Sequence, residues 1–273
     1  MHTFEKIKQY YHHSDEWSRL DAPAGQIEKQ EVLHILRPYL KERIRILDLG
    51  SGPGKYALEF ARMGCKLDLV DLSEKLIAEA RDKFREGNME NSVGQFSVGN
   101  ATDISFLATN TYDIVFCCGP FYHLVEEKDR IMAAREIIRV CKKGGIIAIG
   151  FIPRFSALAG ILNRAAGNPD QVDDSVFREI AESGIFRNKS MQGVQEGYFP
   201  TLSEMKKFWT DLKLHDIKTV SSRGFIYQNE TVLMKIKSVN HALYETVIET
   251  HRDLADKDTY VEAGGHALLI GKK

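Results

Sequence analysis

The chain is poor in the features that mark several specialised protein classes. It has four cysteines, Cys65, Cys117, Cys118 and Cys141, with no C-x-x-C pair among them. That excludes a secreted disulfide framework and argues against a cysteine-based zinc site. The longest apolar run, Ile146 to Ile152, is far too short to cross a bilayer. Charge of one sign is also missing: 37 Lys and Arg stand against 38 Asp and Glu. With no strongly basic block to track phosphates, nucleic acid is not an expected partner. Arg187-Asn188-Lys189 and Lys206-Lys207 read as solvated faces. The residues from Met1 to Lys6 lack the apolar core of a signal peptide, so a cytoplasmic location is expected. His12 and His13 are adjacent and no acid or Cys at ligand spacing completes a site, so no metal is expected. There is no internal repeat and no low-complexity segment.

What is present is a glycine loop in a particular setting. Leu47-Asp48-Leu49-Gly50-Ser51-Gly52-Pro53-Gly54 follows an apolar run that begins at Ile44 and precedes a helical pattern of Tyr56, Leu58, Phe60 and Ala61. That is strand, loop, helix. Glycines allow a sharp turn and close approach of a ligand to the main chain, and the helix start offers unpaired N–H groups. A second acid, Asp71, ends the next apolar run, 23 residues beyond Asp48. An acid about 20 residues past a glycine loop suits a ribose contact. The glycines fall as G-x-G-x-G rather than the dinucleotide pattern G-x-G-x-x-G. A carboxylate at Asp48 would repel a pyrophosphate and favour a ligand bearing a cationic group.

The rest of the chain alternates in the same way. Gln26 to Leu40 reads as a helix stopped near Pro38, after a polar and aromatic arm over residues 1–20. Ser73 caps a helix bearing Leu76, Ile77, Ala80 and Phe84. Phe96 to Val98, Tyr112 to Cys118 and Gly145 to Ile152 read as strands, with a helix over Asp129 to Val140. Alternation of this kind implies a parallel sheet with right-handed crossovers. Two amphipathic stretches, Phe155 to Ala166 and Val172 to Ile185, belong to no βα unit and suit a lid or pocket wall near the ligand-binding edge; a packing extension or dimer surface is the alternative. Thr201-Leu202-Ser203-Glu204 is a capping box. Ile217 to Val220 is a strand, and a second helical insert, about Val239 to Leu254, precedes a last strand, Ala267 to Ile270.

With these segments in place the chain resembles the class I S-adenosylmethionine-dependent methyltransferases, of the bacterial small-molecule type. The resemblance rests on the glycine loop, Val98-Gly99-Asn100-Ala101-Thr102-Asp103, Tyr112 to Cys118, and Arg139-Val140-Cys141-Lys142-Lys143-Gly144-Gly145, and the likeness to the bacterial small-molecule type on Gly119-Pro120-Phe121-Tyr122-His123-Leu124. It covers about residues 43 to 152, and more loosely the last strands. Lys143 stands where the family usually has proline. The resemblance implies a Rossmann-like, doubly wound α/β sheet of seven strands, mostly parallel with an antiparallel last strand, and helical insertions as a lid. The whole is expected as one domain: a helical arm over 1–42, a cofactor core over 43–152, a lid over 153–200 and C-terminal strands over 201–273 with an insertion at about 225–260.

The resemblance also implies roles. Gly50, Gly52 and Gly54 bring main chain close to the methionine and ribose parts of S-adenosyl-L-methionine. Asp48 orients loop amides and favours the cationic end. Asp71 accepts both ribose hydroxyls and Leu72 packs on adenine. Asn100 faces the adenine amino group, although the family often has Asp there, and the Ala101 N–H meets a ring nitrogen. Carbonyls near Cys118 and Gly119 receive the ammonium. Tyr11, with its neighbours in the arm, closes over the cofactor. His123 is the candidate base, since it follows the fourth strand and imidazole titrates near neutrality. Tyr122 lines the pocket or contacts the methyl donor. Arg19, Glu28 and Arg154 are candidates for recognising a charged acceptor.

The expected activity is methyl transfer to an O, N or C atom of a small molecule. A base is needed only if the acceptor must lose a proton. The alternatives are a non-catalytic binder of the same cofactor, used in regulation or assembly, and a nicotinamide-dependent oxidoreductase, which the glycine spacing opposes. A homodimer is compatible with the inserted helices.

Overall fold

The computed structural model describes residues 3–188 and 196–273. Lys189, grouped above with the solvated residues, lies outside them. The arm forms α1 (Thr3–His13) and α2 (Glu16–Arg19), and α3 (Pro23–Leu36) ends in a 3₁₀ turn over Arg37–Tyr39. Pro23 opens α3, where a missing N–H is harmless, and the chain leaves the α-helix at Pro38 as the sequence predicts.

The core then alternates: β1 (Arg45–Leu49), α4 (Lys55–Arg62), β2 (Lys66–Asp71), α5 (Glu74–Glu86), β3 (Val93–Val98), β4 (Tyr112–Cys117), α6 (Glu127–Val140) and β5 (Cys141–Phe151). Ser73 caps α5, its side chain accepting the Leu76 N–H at 3.4 Å. The strand expected from Gly145 starts four residues earlier, directly after α6, and its register against β4 shifts between Tyr112 and Ile114.

After β5 come α7 (Arg154–Gly167), α8 (Val176–Ser183), β6 (Ile185–Arg187) and β7 (Glu196–Tyr198). The helix expected to run to Ile185 stops at Ser183. Gly184 takes a left-handed conformation, φ 73°, and its N–H returns to the Ile180 carbonyl at 2.8 Å, an end glycine favours. Ile185 then opens a small antiparallel ribbon with β7, which the pattern did not reveal. Ala157, Ile161, Val176, Ile180, Phe186 and Phe199 give this insertion its own apolar cluster.

The chain finishes with α9 (Leu202–Asp211), β8 (His215–Ser221), α10 (Glu230–Val239), α11 (His241–Leu254), α12 (Asp258–Ala263) and β9 (Ala267–Lys272). The Thr201–Glu204 capping box is present at α9. The single insert expected near 239–254 is three helices, because Asn240 breaks the run and caps α11 by accepting the Leu243 N–H.

The large sheet has the order β3-β2-β1-β4-β5-β9-β8. Strands β1 to β5 pair in parallel, and β9 runs antiparallel between β5 and β8. Alternate residues of one strand serve different clusters. Leu47, Val115 and Ile147 face Ala134, Ile137 and Trp209 of α6 and α9, while Ile46, Phe116 and Ala148 face Phe60, Phe84 and Val32 of α4, α5 and α3. Central strands buried on both faces explain the unbroken apolar runs. Each buried Leu, Ile or Phe contributes roughly 1.5–3 kcal/mol, so the sheet's centre is the rigid base on which the loops at its C-terminal edge sit.

Candidate active site

The turn from Gly50 to Gly54 has no free N–H pointing into solvent. Gly50 and Ser51 donate to the Val70 carbonyl at 2.7 and 3.1 Å, and Gly54 donates to Ser51 at 3.0 Å. Gly52 donates to Asp71 Oδ2 at 2.8 Å, Pro53 has no N–H, and the other Asp71 oxygen accepts from Ser73 at 2.8 Å. A pyrophosphate cradle needs loop N–H groups aimed at the ligand. Here they are engaged internally, and a carboxylate stands among them. Asp71 is pushed above the usual carboxylate range by burial, against which the Ser73 and Gly52 N–H bonds work.

One cavity runs along this edge of the sheet. It is walled by Gly50, Gly52, Asp71, Leu72, Asn100, Ala101, Cys118, Tyr11, Tyr122 and His123, so ten of the twelve expected site residues meet in one place. The other two do not line it. Gly54 faces inward: a Cβ there would sit 3.1 Å from Leu69 and 3.2 Å from Phe84. Its absence of a side chain serves packing of α4 and α5 on β2, not approach to a ligand. Asp48 is only 2% exposed, and its Oδ2 has no hydrogen-bond partner among the described residues. Burial, helped by the nearby Asp71, raises its pKa to about 8. It is therefore protonated at neutral pH, and Asp71, not Asp48, is the acid that bonds the loop and lines the cavity.

Asn100 and Ala101 sit in a turn after β3. Asn100 Oδ1 accepts the Thr102 N–H at 3.1 Å and so holds that turn. The Ala101 N–H has no acceptor among the described residues and belongs to the cavity wall.

The arm closes one side. Phe4, Ile7, Tyr11, Glu16 and Arg19 line the cavity. Lys55 at the start of α4 reaches out to bond the Trp17 carbonyl and Asp21, both at 2.6 Å, and Lys75 bonds the His12 carbonyl at 2.8 Å. None of these lysine anchors was visible as a pattern, because they join segments distant in sequence.

His123 is 6% exposed and engaged with the Tyr11 hydroxyl through Nε2 at 2.7 Å; its Nδ1 is buried without a partner. Burial lowers its pKa to about 4. With Nε2 bonded to Tyr11 and Nδ1 buried, neither ring nitrogen is open to an acceptor in the cavity in this structure, and His123 ties the arm to the turn after β4. Tyr122 is likewise buried enough to raise its phenol pKa, and it lines the cavity as expected.

A second cavity adjoins the first and shares Tyr11, Glu16, Arg19, Tyr122 and His123 with it. Its far walls come from α7 (Ala157, Gly160, Ile161), the ribbon (Phe186, Gly197) and the C-terminal region (Arg223, Tyr227, His266). Of the two inserted helices, α7 walls this cavity and α8 does not line it. Arg154 does not serve it: its guanidinium bonds Glu204 at 2.6 Å and the Phe199 carbonyl at 3.2 Å, holding the insertion to α9. Glu28 is buried beneath the shared wall. Asn188, read as solvated, is fully buried, donating to the Gln171 carbonyl. Among the described residues no cluster of three or more His, Cys, Asp or Glu is arranged to hold a metal ion, and no helix is long and apolar enough to cross a membrane.

Five parallel strands in the order 3-2-1-4-5, with an antiparallel strand inserted beyond them and a cavity over the ends of β1 and β4, define the class I methyltransferase fold. Residues 46–145 match the family model described as Methyltransferase domain. This segment carries the cofactor-binding core of a methyltransferase domain, within a fold shared with S-adenosylmethionine-dependent methyltransferases. The chain is 32% identical over 123 residues to a probable methyltransferase, ltbC, of Aspergillus luteorubrus, covering 41% of each chain. It is 26% identical over 153 residues to a ubiquinone biosynthesis O-methyltransferase of Xanthomonas oryzae pv. oryzae, covering 53% of this chain and 59% of that one. The chain thus spans less than two thirds of the curated relatives it matches. A S-adenosylmethionine-dependent methyltransferase structure from Methanosarcina mazei shares the fold, with a TM-score of 0.58 at 19% identity, covering 88% of this chain and 96% of that one.

Proposed function

We propose that this protein transfers a methyl group from S-adenosylmethionine to an oxygen, nitrogen or carbon atom of a small molecule. The observation that carries the reading is the meeting of two cavities at one wall, formed by Tyr11, Glu16, Arg19, Tyr122 and His123. One holds the nucleoside and the other the acceptor. Asp71 accepts the ribose hydroxyls, Leu72 and the Ala101 N–H meet adenine with Asn100 shaping the turn, and main chain at Gly50, Gly52, Cys118 and Gly119 lies against the remainder. Tyr11 covers the site from the arm. The cofactor supplies an electrophilic methyl group on a sulfonium. What remains for the chain is to hold the acceptor in line and exclude water, and such positioning is worth roughly 7–11 kcal/mol. The O-methyltransferase among the relatives supports oxygen as one acceptor atom.

Calorimetry with S-adenosylhomocysteine and with NADH tests the cofactor assignment. Saturable binding of the first and none of the second is expected; the reverse would overturn it. Transfer of labelled methyl to a panel of phenols, amines and acids tests catalysis. Tight nucleoside binding with no labelled product from any of them would favour a non-catalytic binder.

A further inference from the structure

We infer that His266, oriented by Glu28, is the base that takes the proton from an acceptor hydroxyl, and that the acceptor is a phenol or comparably acidic O–H compound. This rests on the methyltransferase reading above. His266 lies outside the glycine-loop motifs, immediately before β9, and lines the second cavity. Its ring stacks on Tyr122, centroid to centroid 5.8 Å with planes 29° apart, and Tyr122 belongs to both cavities.

The tautomer follows from the partner. His266 Nδ1 is 2.8 Å from Glu28 Oε2. A carboxylate only accepts, so Nδ1 carries the hydrogen and Nε2 of the neutral ring keeps its lone pair. Among the described residues no group is bonded to that Nε2. The contrast with His123 is direct: that ring has its Nε2 bonded to Tyr11 and no carboxylate behind it.

Glu28 is 4% exposed. Burial works to raise its pKa, but His266 once protonated, with Arg223 and Arg19, outweighs burial and lowers it to about 2. It is therefore a fixed negative charge, suited to stabilise the imidazolium that forms when Nε2 is protonated.

The charged groups around the ring argue for the acceptor class. Arg223 lies 3.8 Å from Glu28 and 3.0 Å from Glu230. Arg19 bonds Glu16 at 2.7 Å. Arg164, on α7, also lines the cavity and has a partner of its own. Among the described residues each carboxylate at this wall, Glu16, Glu28 and Glu230, is paired with an arginine, so an ammonium acceptor finds no unpaired anion there. Tyr227, Phe186 and Phe199 give flat apolar walls instead, which suit an aromatic ring.

In the step itself the acceptor O–H bond breaks and the proton joins Nε2. The oxygen keeps the electron pair with which it attacks the methyl carbon, the carbon–sulfur bond breaks with its pair returning to sulfur so that neutral S-adenosylhomocysteine is the leaving group, and the proton on Nε2 passes afterwards to water. Glu28 does not touch the acceptor; it is a positioning residue.

The test uses 4-nitrophenol, whose ionised form absorbs in the visible, titrated into the S-adenosylhomocysteine complex slightly below neutral pH. The wild-type complex should bind it and show the nitrophenolate band. H266N should bind the nucleoside as before and show no band beyond that of the free dye at the same pH. E28Q should lower the ionised fraction about tenfold, one pKa unit of lost stabilisation. Nitrogen NMR of the imidazoles should show a hydrogen on Nδ1 of His266 in the wild type. A band unchanged in H266N, no saturable nitrophenol binding, or a hydrogen on Nε2 would each overturn the assignment. Failure of the wild type to bind S-adenosylhomocysteine would sink the methyltransferase reading instead.

Discussion

Asp71 holds the glycine loop by its own side chain, accepting the Gly52 N–H at 2.8 Å, while its second oxygen accepts from Ser73 at the start of α5. One carboxylate thus fixes the loop, caps the next helix and faces the cavity. Asp71→Ala should weaken S-adenosylhomocysteine binding by tenfold or more, since a hydrogen bond to a charged group is worth about 1.5–3 kcal/mol. Asp71→Asn should fall between the two, because it keeps an acceptor oxygen without the charge. Calorimetry at one salt concentration reads both; an alanine variant binding like wild type would remove Asp71 from the site.

Asp48 gives a stability prediction with a definite sign. Its pKa is raised to about 8 by burial, against about 3.9 unfolded. A raised value means the favourable, protonated folded form counts fully below pH ~4 and is lost as the pH rises toward 8. Near neutrality the burden is on the order of 4 kcal/mol. Asp48→Asn removes the titration, so its melting temperature should exceed that of the wild type by a margin that widens from pH 5 to pH 8. A constant or narrowing margin would show that Asp48 is not a buried, raised acid.

His123 runs the other way. Burial depresses its pKa to about 4, from about 6.5 unfolded. The neutral buried ring stabilises fully above pH ~6.5, and this is lost as the pH falls toward 4, an amount of about 3 kcal/mol. His123→Gln should cost stability at neutral pH through the lost Tyr11 contact, yet lose less than the wild type on acidification. Urea unfolding across that range measures it; parallel curves would contradict the assignment.

The core was legible because its signals are local. The loop at Gly50, the cap at Ser73 and the capping box at Thr201 each depend on residues a few positions apart, and the double-faced burial of β4 prints itself as an unbroken apolar run. The lining of the first cavity was legible where family motifs mark it. What stayed hidden depends on three-dimensional pairing. The Glu28–His266 contact joins α3 to the start of β9 across most of the chain, and no periodicity records it. His123 was visible as a residue type but not as an environment, since its low basicity comes from burial and a tyrosine on the arm. The β6–β7 ribbon was missed because three-residue strands carry no usable alternation.

The two cavity-lining glycines of the loop should respond differently to alanine, and that difference separates folding from binding. Gly50 has φ 77° and lies under the Pro120 ring; an added Cβ would meet Cδ at 2.4 Å and Cγ at 2.5 Å. Gly50→Ala must move the β4 turn that carries Tyr122 and His123, and should lower both stability and nucleoside affinity. Gly52 has φ 53°, and an added Cβ would meet nothing within 4 Å. Its left-handed backbone costs an alanine roughly 1–2 kcal/mol, a modest loss of melting temperature. Because Gly52 lines the cavity, the new methyl takes space meant for the ligand. Gly52→Ala should therefore fold, melt only a few degrees lower on the usual scale for a domain of this size, and lose S-adenosylhomocysteine binding by far more than its stability loss accounts for. Wild-type affinity in a folded Gly52→Ala protein would mean that the nucleoside does not lie against this loop.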